Sequence, residues 1–290
     1  MLKSVSSLRQ SLASMYSNLL LKMRNFRTSF NQILSYWGVE LRKVNLDSIS
    51  DKNIPKIECL PVNENISKIE CFLADLQNRG LSVRGIIDVG ANCGVWTQMA
   101  LECFPQAAVI AIEPQVEMVP SLTNLCKNYP QIQFIQAGAG RSSGELVQTI
   151  WEDLAGSSFL PTVDPEKMSS GQQRKTQIVT IDNLLSSRPD FQPDLVKLDI
   201  QGFELEALAG AASLFGRTEV FIIETSLFPF LSNEPIAREI IEFMASRKYE
   251  IYDITGVLRR PYDGALGQID LAFAKQDGVL RSSHEWLAPK

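Results

Sequence analysis

The chain has 290 residues, 45% of them hydrophobic and 21% charged, which is enough for one large α/β domain plus an extension. A formal net charge of -5 at pH 7 provides no basic field for bulk attraction to nucleic acid. No apolar run approaches the roughly 18 residues of a membrane span, and the five cysteines form no CxxC pair or zinc-type Cys/His cluster, so reduced thiols in a cytoplasmic protein are expected.

From Met1 to Val39 there is no Asp or Glu, whereas Lys3, Arg9, Lys22, Arg24 and Arg27 supply positive charge. Apolar residues from Val5 through Leu8, Leu12, Met15 and Leu19 to Trp37 recur at alternating steps of three and four, which predicts a basic amphipathic helix within residues 1–44. Its stripe suits packing, pairing with another subunit, or contact with an anionic membrane surface through residues 1–39, so a location peripheral to a membrane stays open. Residues 45–83 read as a connecting loop followed by a helix from about Ser67 to Asn78.

From residue 84 the pattern becomes regular. Strand "GIIDVG", turn "GANCG" and helix "VWTQMALECF" are followed by strand "AAVIAIEP", helix "VEMVPSLTNLCKNY" and strand "IQFIQAG". Alternating βα units of this length predict a Rossmann-like α/β fold whose parallel sheet carries helices on both faces, with ligands beyond the carboxyl ends of the strands. Asp88, Gly90, Asn92 and Gly94 fall at that edge. The spacing is GxxxG, and Asn92 stands where a dinucleotide-binding turn needs its middle glycine, which weighs against a nicotinamide-dependent oxidoreductase. The turn resembles the loop of class I S-adenosylmethionine-dependent methyltransferases. Glu113 ends the next strand, where a carboxylate can accept both hydroxyls of a ribose, and Ala137 and Gly138 are small enough to admit an adenine ring.

The polar segment Glu152 to Gln177 reads as a loop in which Arg174 and Lys175 are available to an anionic acceptor, though a merely solvated loop explains them as well. Strand "LVKLDI" then delivers Asp199, a helix carries Glu204 and Glu206, and strand "TEVFIIETS" delivers Glu224. Strands "YEIYDITGVLRRP" and "GQIDLAFAKQ" complete seven, the last antiparallel, and residues 279–290 form a tail.

The blocks "DVGANCG", "AIEP", "VTIDNLL", "DLVKLDIQGFELEALAG" and "IIETS", in this order, resemble the FkbM family of S-adenosylmethionine-dependent methyltransferases. The resemblance covers roughly residues 84 to 275, within a methyltransferase domain placed at 84–278, and implies O-methylation of a hydroxyl on a sugar, glycan or natural product. The family usually carries an acid where this chain has Gln201 and a small residue where it has Phe203. Gln201 can hydrogen-bond but cannot act as a base.

Methyl transfer to oxygen needs in-line positioning and removal of a proton. The single histidine, His284, lies in the tail, which leaves Asp199, then Glu224, then Glu204, as candidate bases. Asp199 with Glu224 holding a divalent cation is a second arrangement the sequence leaves open. A non-catalytic adaptor working through its N-terminal helix is the remaining alternative.

Overall fold

The computed structural model describes residues 69–287; the expected N-terminal helix and connecting loop lie outside them. Helix α1 (Ile69–Asn78) precedes strand β1 (Gly85–Val89), and α2 (Val95–Cys103) leads to β2 (Ala108–Ile112). A 3-10 turn and α3 (Val119–Asn128) lead to β3 (Ile132–Ile135). After an intervening segment come β7 (Leu195–Leu198), α6 (Glu204–Ala209), β8 (Val220–Ser226), α7 (Ala237–Ser246), β9 (Tyr249–Arg259) and β10 (Leu266–Lys275). The sheet order is β3-β2-β1-β7-β8-β10-β9, with β10 antiparallel to both neighbours. All seven strands expected from sequence are present.

These strands form because their apolar runs are buried on both faces, as every residue of β1 and β8 is. One face packs Ile86, Val109 and Ile222 against Leu73, Leu101 and Leu122 of α1, α2 and α3. The other packs Val89, Leu198 and Ile223 against Ala207, Ile240 and Met244 of α6 and α7. Each such fully buried aliphatic side chain contributes about 1.5–3 kcal/mol.

The expected loop Glu152–Gln177 is in part regular structure, within a second sheet that spans residues 138–179. Strands β4 (Gly138–Ala139), β5 (Gly144–Thr149) and β6 (Gln173–Val179) form a separate sheet of order β4-β6-β5. Between β5 and β6 lies a strap that includes α4 (Pro165–Ser170), with Asp164 capping the first turn. Helix α5 (Ile181–Ser186) follows β6, capped by the Thr180 hydroxyl accepting from the Asn183 N–H at 3.1 Å. Residues 173–177 are therefore strand rather than loop. The Arg174 guanidinium is held bidentately by Glu117, with both distances 2.7 Å, so an ion pair rather than an anionic acceptor occupies it.

Candidate active site

The carboxyl ends of β1, β2 and β7 part around a cleft. The Gly90 N–H donates to the Ile112 carbonyl at 2.9 Å, while Asp199 N–H donates to the Val89 carbonyl at 3.0 Å. Gly90 has φ +82°, and a Cβ there would lie 1.9 Å from the Asp199 carbonyl oxygen, so only glycine lets the two turns meet. Gly94 starts α2 in the left-handed region, packed against Leu122 and Leu125.

The cleft encloses about 450 Å³ including its open mouth. Its walls include Gly90, Asn92, Glu113, Ala137, Gly138, Asp199 and Gln201. Asp88, Gly94, Glu204 and Glu224 do not line it, and His284 is exposed in the tail. Gln115, Gln148, Ser157 and Phe159 also form its walls. No motif marks these four, because β5 and the strap bring three of them in from far along the chain.

Glu113 is almost fully buried. One carboxylate oxygen accepts the Asn92 N–H and the other accepts the Gln115 N–H, both at 2.9 Å. Burial raises its pKa, and those two backbone donors oppose the rise. Each oxygen keeps a further lone pair, so the pair of oxygens can take two neighbouring hydroxyls. Ala137 and Gly138 line the same cleft, with Ile112 and Phe159 giving apolar surface. A carboxylate among small and apolar residues fits a nucleoside.

Asp88 lies beneath the turn with no exposed surface, its Oδ2 accepting from the Thr97 hydroxyl at 2.5 Å. Its Oδ1 makes no hydrogen bond and faces Lys197 Nζ at 3.9 Å. Burial raises the Asp88 pKa. Lys197, set in β7, was concealed by its apolar neighbours. It also pairs with Asp199 at 3.0 Å. Burial works against the Lys197 charge, but Asp199 and Asp88 outweigh it and hold the ammonium above its ordinary value.

Asp199 and Glu224 respond oppositely to the same surroundings. Burial would raise Asp199, yet the Lys197 ammonium and the Gln201 amide bring it below the ordinary range. Burial, then the charges of Asp199 and Asp270, push Glu224 well above its ordinary value. Gln201 Nε2 donates to Glu224 at 2.7 Å and Asp199 at 3.2 Å from a backbone at φ +55°. The Gln201 amide thus bridges the two carboxyls, and the Lys197 ammonium reaches Asp199 from the side of Asp88. Such a set suits carboxyls sharing one negative charge. Glu204 braces the turn, accepting the Ile200 N–H at 2.9 Å and the Gly202 N–H at 3.3 Å; burial pushes its pKa up to about 7.

A strap roofs the cleft and is tied to both sides. The Gln115 amide donates to the Leu154 carbonyl at 3.0 Å, and the Ser158 hydroxyl donates to the Gln201 carbonyl at 2.8 Å. Phe159 packs on Phe203 with centroids 5.4 Å apart.

The sheet order and the antiparallel β10 define a class I methyltransferase fold. Residues 88–251 match the methyltransferase FkbM domain. The chain belongs to the FkbM methyltransferase family.

Methyltransferase sdnD of Sordaria araneosa is 28% identical over 58% of this chain and 74% of its own length. The hexuronic acid methyltransferase AglP of Haloferax volcanii is 28% identical over 47% of this chain and 54% of its own. A crystal structure of methyltransferase FkbM from Methylobacillus flagellatus aligns with TM-score 0.44 and 18% identity, covering 66% of this chain and 44% of that one. The chain thus spans about half the length of some of these proteins and three quarters of another. Among the described residues, no helix is long and apolar enough to cross a membrane.

Proposed function

We propose that this protein transfers a methyl group from S-adenosylmethionine to a hydroxyl of a sugar, glycan or natural-product acceptor. The observation that carries the reading is that Glu113, Ala137, Gly138 and Asp199 line one cleft at the carboxyl ends of the strands. Glu113 would hold the ribose hydroxyls, Ala137 and Gly138 the face of the base, and Gly90 and Asn92 the backbone beside the nucleoside. Asp88 supports this turn from beneath through Thr97 and Lys197. The bound cofactor supplies an electrophilic methyl on a sulfonium.

The remaining work falls to the chain's own residues. Asp199 keeps its charge beside Lys197, so it can accept a hydrogen bond from the acceptor hydroxyl and take its proton. Glu224 keeps its proton and, through Gln201, fixes where Asp199 points. An oxygen nucleophile needs such an acceptor of protons, and the likeness to a hexuronic acid methyltransferase supports a carbohydrate.

Calorimetric titration with S-adenosylhomocysteine and with NADH tests the cofactor. The expected result is binding of the sulfur nucleoside alone, weakened about ten- to a hundredfold in Glu113→Ala, the scale set by lost hydrogen bonds to a charged group. Binding of NADH instead would sink the reading. A turnover screen of hexoses and hexuronic acids against amine acceptors then tests the oxygen assignment, which methylation of the amines alone would overturn.

A further inference from the structure

Asp270 is an ionisable residue that the cleft does not use. It sits in β10 opposite Glu224 in β8, and opposite Gly256 in β9. Because Leu198 pairs with Ile223, Asp199 follows in register beside Glu224. Three adjacent strands therefore bring Asp199, Glu224 and Asp270 into one lateral row on the same face, spaced as cross-strand neighbours, about 4.5–5.5 Å between Cβ atoms. The Glu224 carboxyl also hydrogen-bonds Asp199. At the outer end, a Cβ on residue 256 would lie 2.1 Å from Asp270 Oδ2, so glycine makes the space in which that carboxyl rests. Asp270 is partly exposed, whereas Glu224 is buried.

We propose that Asp270 is the outlet of a proton path that starts at Asp199 and crosses Glu224, a proposal that rests on Asp199 taking the acceptor's proton. The acceptor O–H bond breaks and an O–H bond forms on Asp199. That proton passes to Glu224 as the Glu224 proton passes to Asp270, and Asp270 releases it to water. One proton leaves the hydroxyl and one enters solvent, and each carboxyl returns to its starting state. The groups around Asp270 are Glu224 from β8 and Asp199 with Lys197 from β7, while β9 sets Gly256 against it and Asp253 against Ala272, two residues along. Burial, then the Asp199 charge, pushes Asp270 up to about 6. Asp270 is thus a positioning residue, acting through Glu224.

Infrared spectroscopy of the full chain without ligands tests this. The protonated-carboxyl band of Glu224, identified by its loss in Glu224→Gln, is followed after a laser-triggered pH jump. In Asp270→Asn its relaxation should slow at least tenfold, and its equilibrium proton affinity should fall about threefold or more, because a neighbouring negative charge is gone. Gly256→Ala, which displaces the Asp270 carboxyl, should slow it in the same sense. An unchanged relaxation in both variants, or no protonated Glu224 band in the unmodified chain, would overturn the path. The measurement uses no cofactor, so failure to bind S-adenosylhomocysteine would count against the methyltransferase reading and leave this result standing.

Discussion

Gly90 and Asp199 approach each other through backbone, and both line the cleft. Replacing Gly90 by alanine imposes a left-handed φ on a residue with a Cβ and drives that carbon into a carbonyl. Gly90→Ala should therefore cost at least about 2 kcal/mol and show in chemical denaturation, with the midpoint lowered; an unchanged midpoint would mean the turns are free to separate. The acids around this contact were visible in the sequence because each ends an apolar run, as Asp199 does after "LVKL". Lys197 and Asp270 were not visible, since each is flanked by apolar residues inside a strand. Parity offers a signal after the fact: Lys197 is two residues from Asp199, hence on its face. Which residue of β10 stands beside Glu224 depends on register, and register follows from the fold rather than from local composition.

The strap between β5 and β6 is held by a few polar ties. Ser158→Ala removes its hydrogen bond to the Gln201 carbonyl, worth about 1 kcal/mol, without altering the packing of Phe159 on Phe203. Hydrogen exchange should then quicken in residues 155–160 and in the turn at 200–203, while β1 and β8 stay protected; equal protection throughout would show that the aromatic pair alone fastens the strap. Strands β5 and β6 escaped the sequence reading because "GELVQT" and "QRKTQIV" lack a long apolar run, being half exposed in a small sheet. The strands of the large sheet were legible for the opposite reason. Buried on both faces, β1 and β8 must be apolar throughout, and only their last positions are released for chemistry.

Across the described residues, several carboxyls have folded pKa values raised by desolvation: the buried Asp88, Glu113, Glu204 at about 7 and Glu224, and the partly exposed Asp270 at about 6. Between pH 4.5 and 7 the folded chain accordingly binds more protons at these sites than the unfolded chain does. Their stabilising contribution is complete below the ordinary carboxylate range and is lost as pH rises through the folded values. Asp199 acts in the opposite direction, its contribution disappearing only as pH falls toward strongly acid conditions. Thermal unfolding should show higher stability near pH 5 than near pH 8, with Glu204 alone accounting for a difference on the order of 3 kcal/mol. Glu204→Gln keeps an acceptor oxygen for the turn and should raise the melting temperature at pH 8 while changing little at pH 5. A chain more stable at pH 8 than at pH 5 would contradict this.

None of the strands between Gly138 and Val179 belongs to the seven-stranded sheet; β4, β5 and β6 pair only among themselves. The unit is attached to the large sheet's side by contacts such as Arg174 with Glu117 and Arg141 with Glu206. Residues 144–179 are consequently an exchangeable cassette. Grafting the corresponding stretch from a relative, with Glu117 and Glu206 retained, would replace Gln148, Ser157 and Phe159 in the cleft and leave Glu113 in place. On the proposed function, recombination at this unit would redirect such an enzyme toward new molecules without reinventing its sheet.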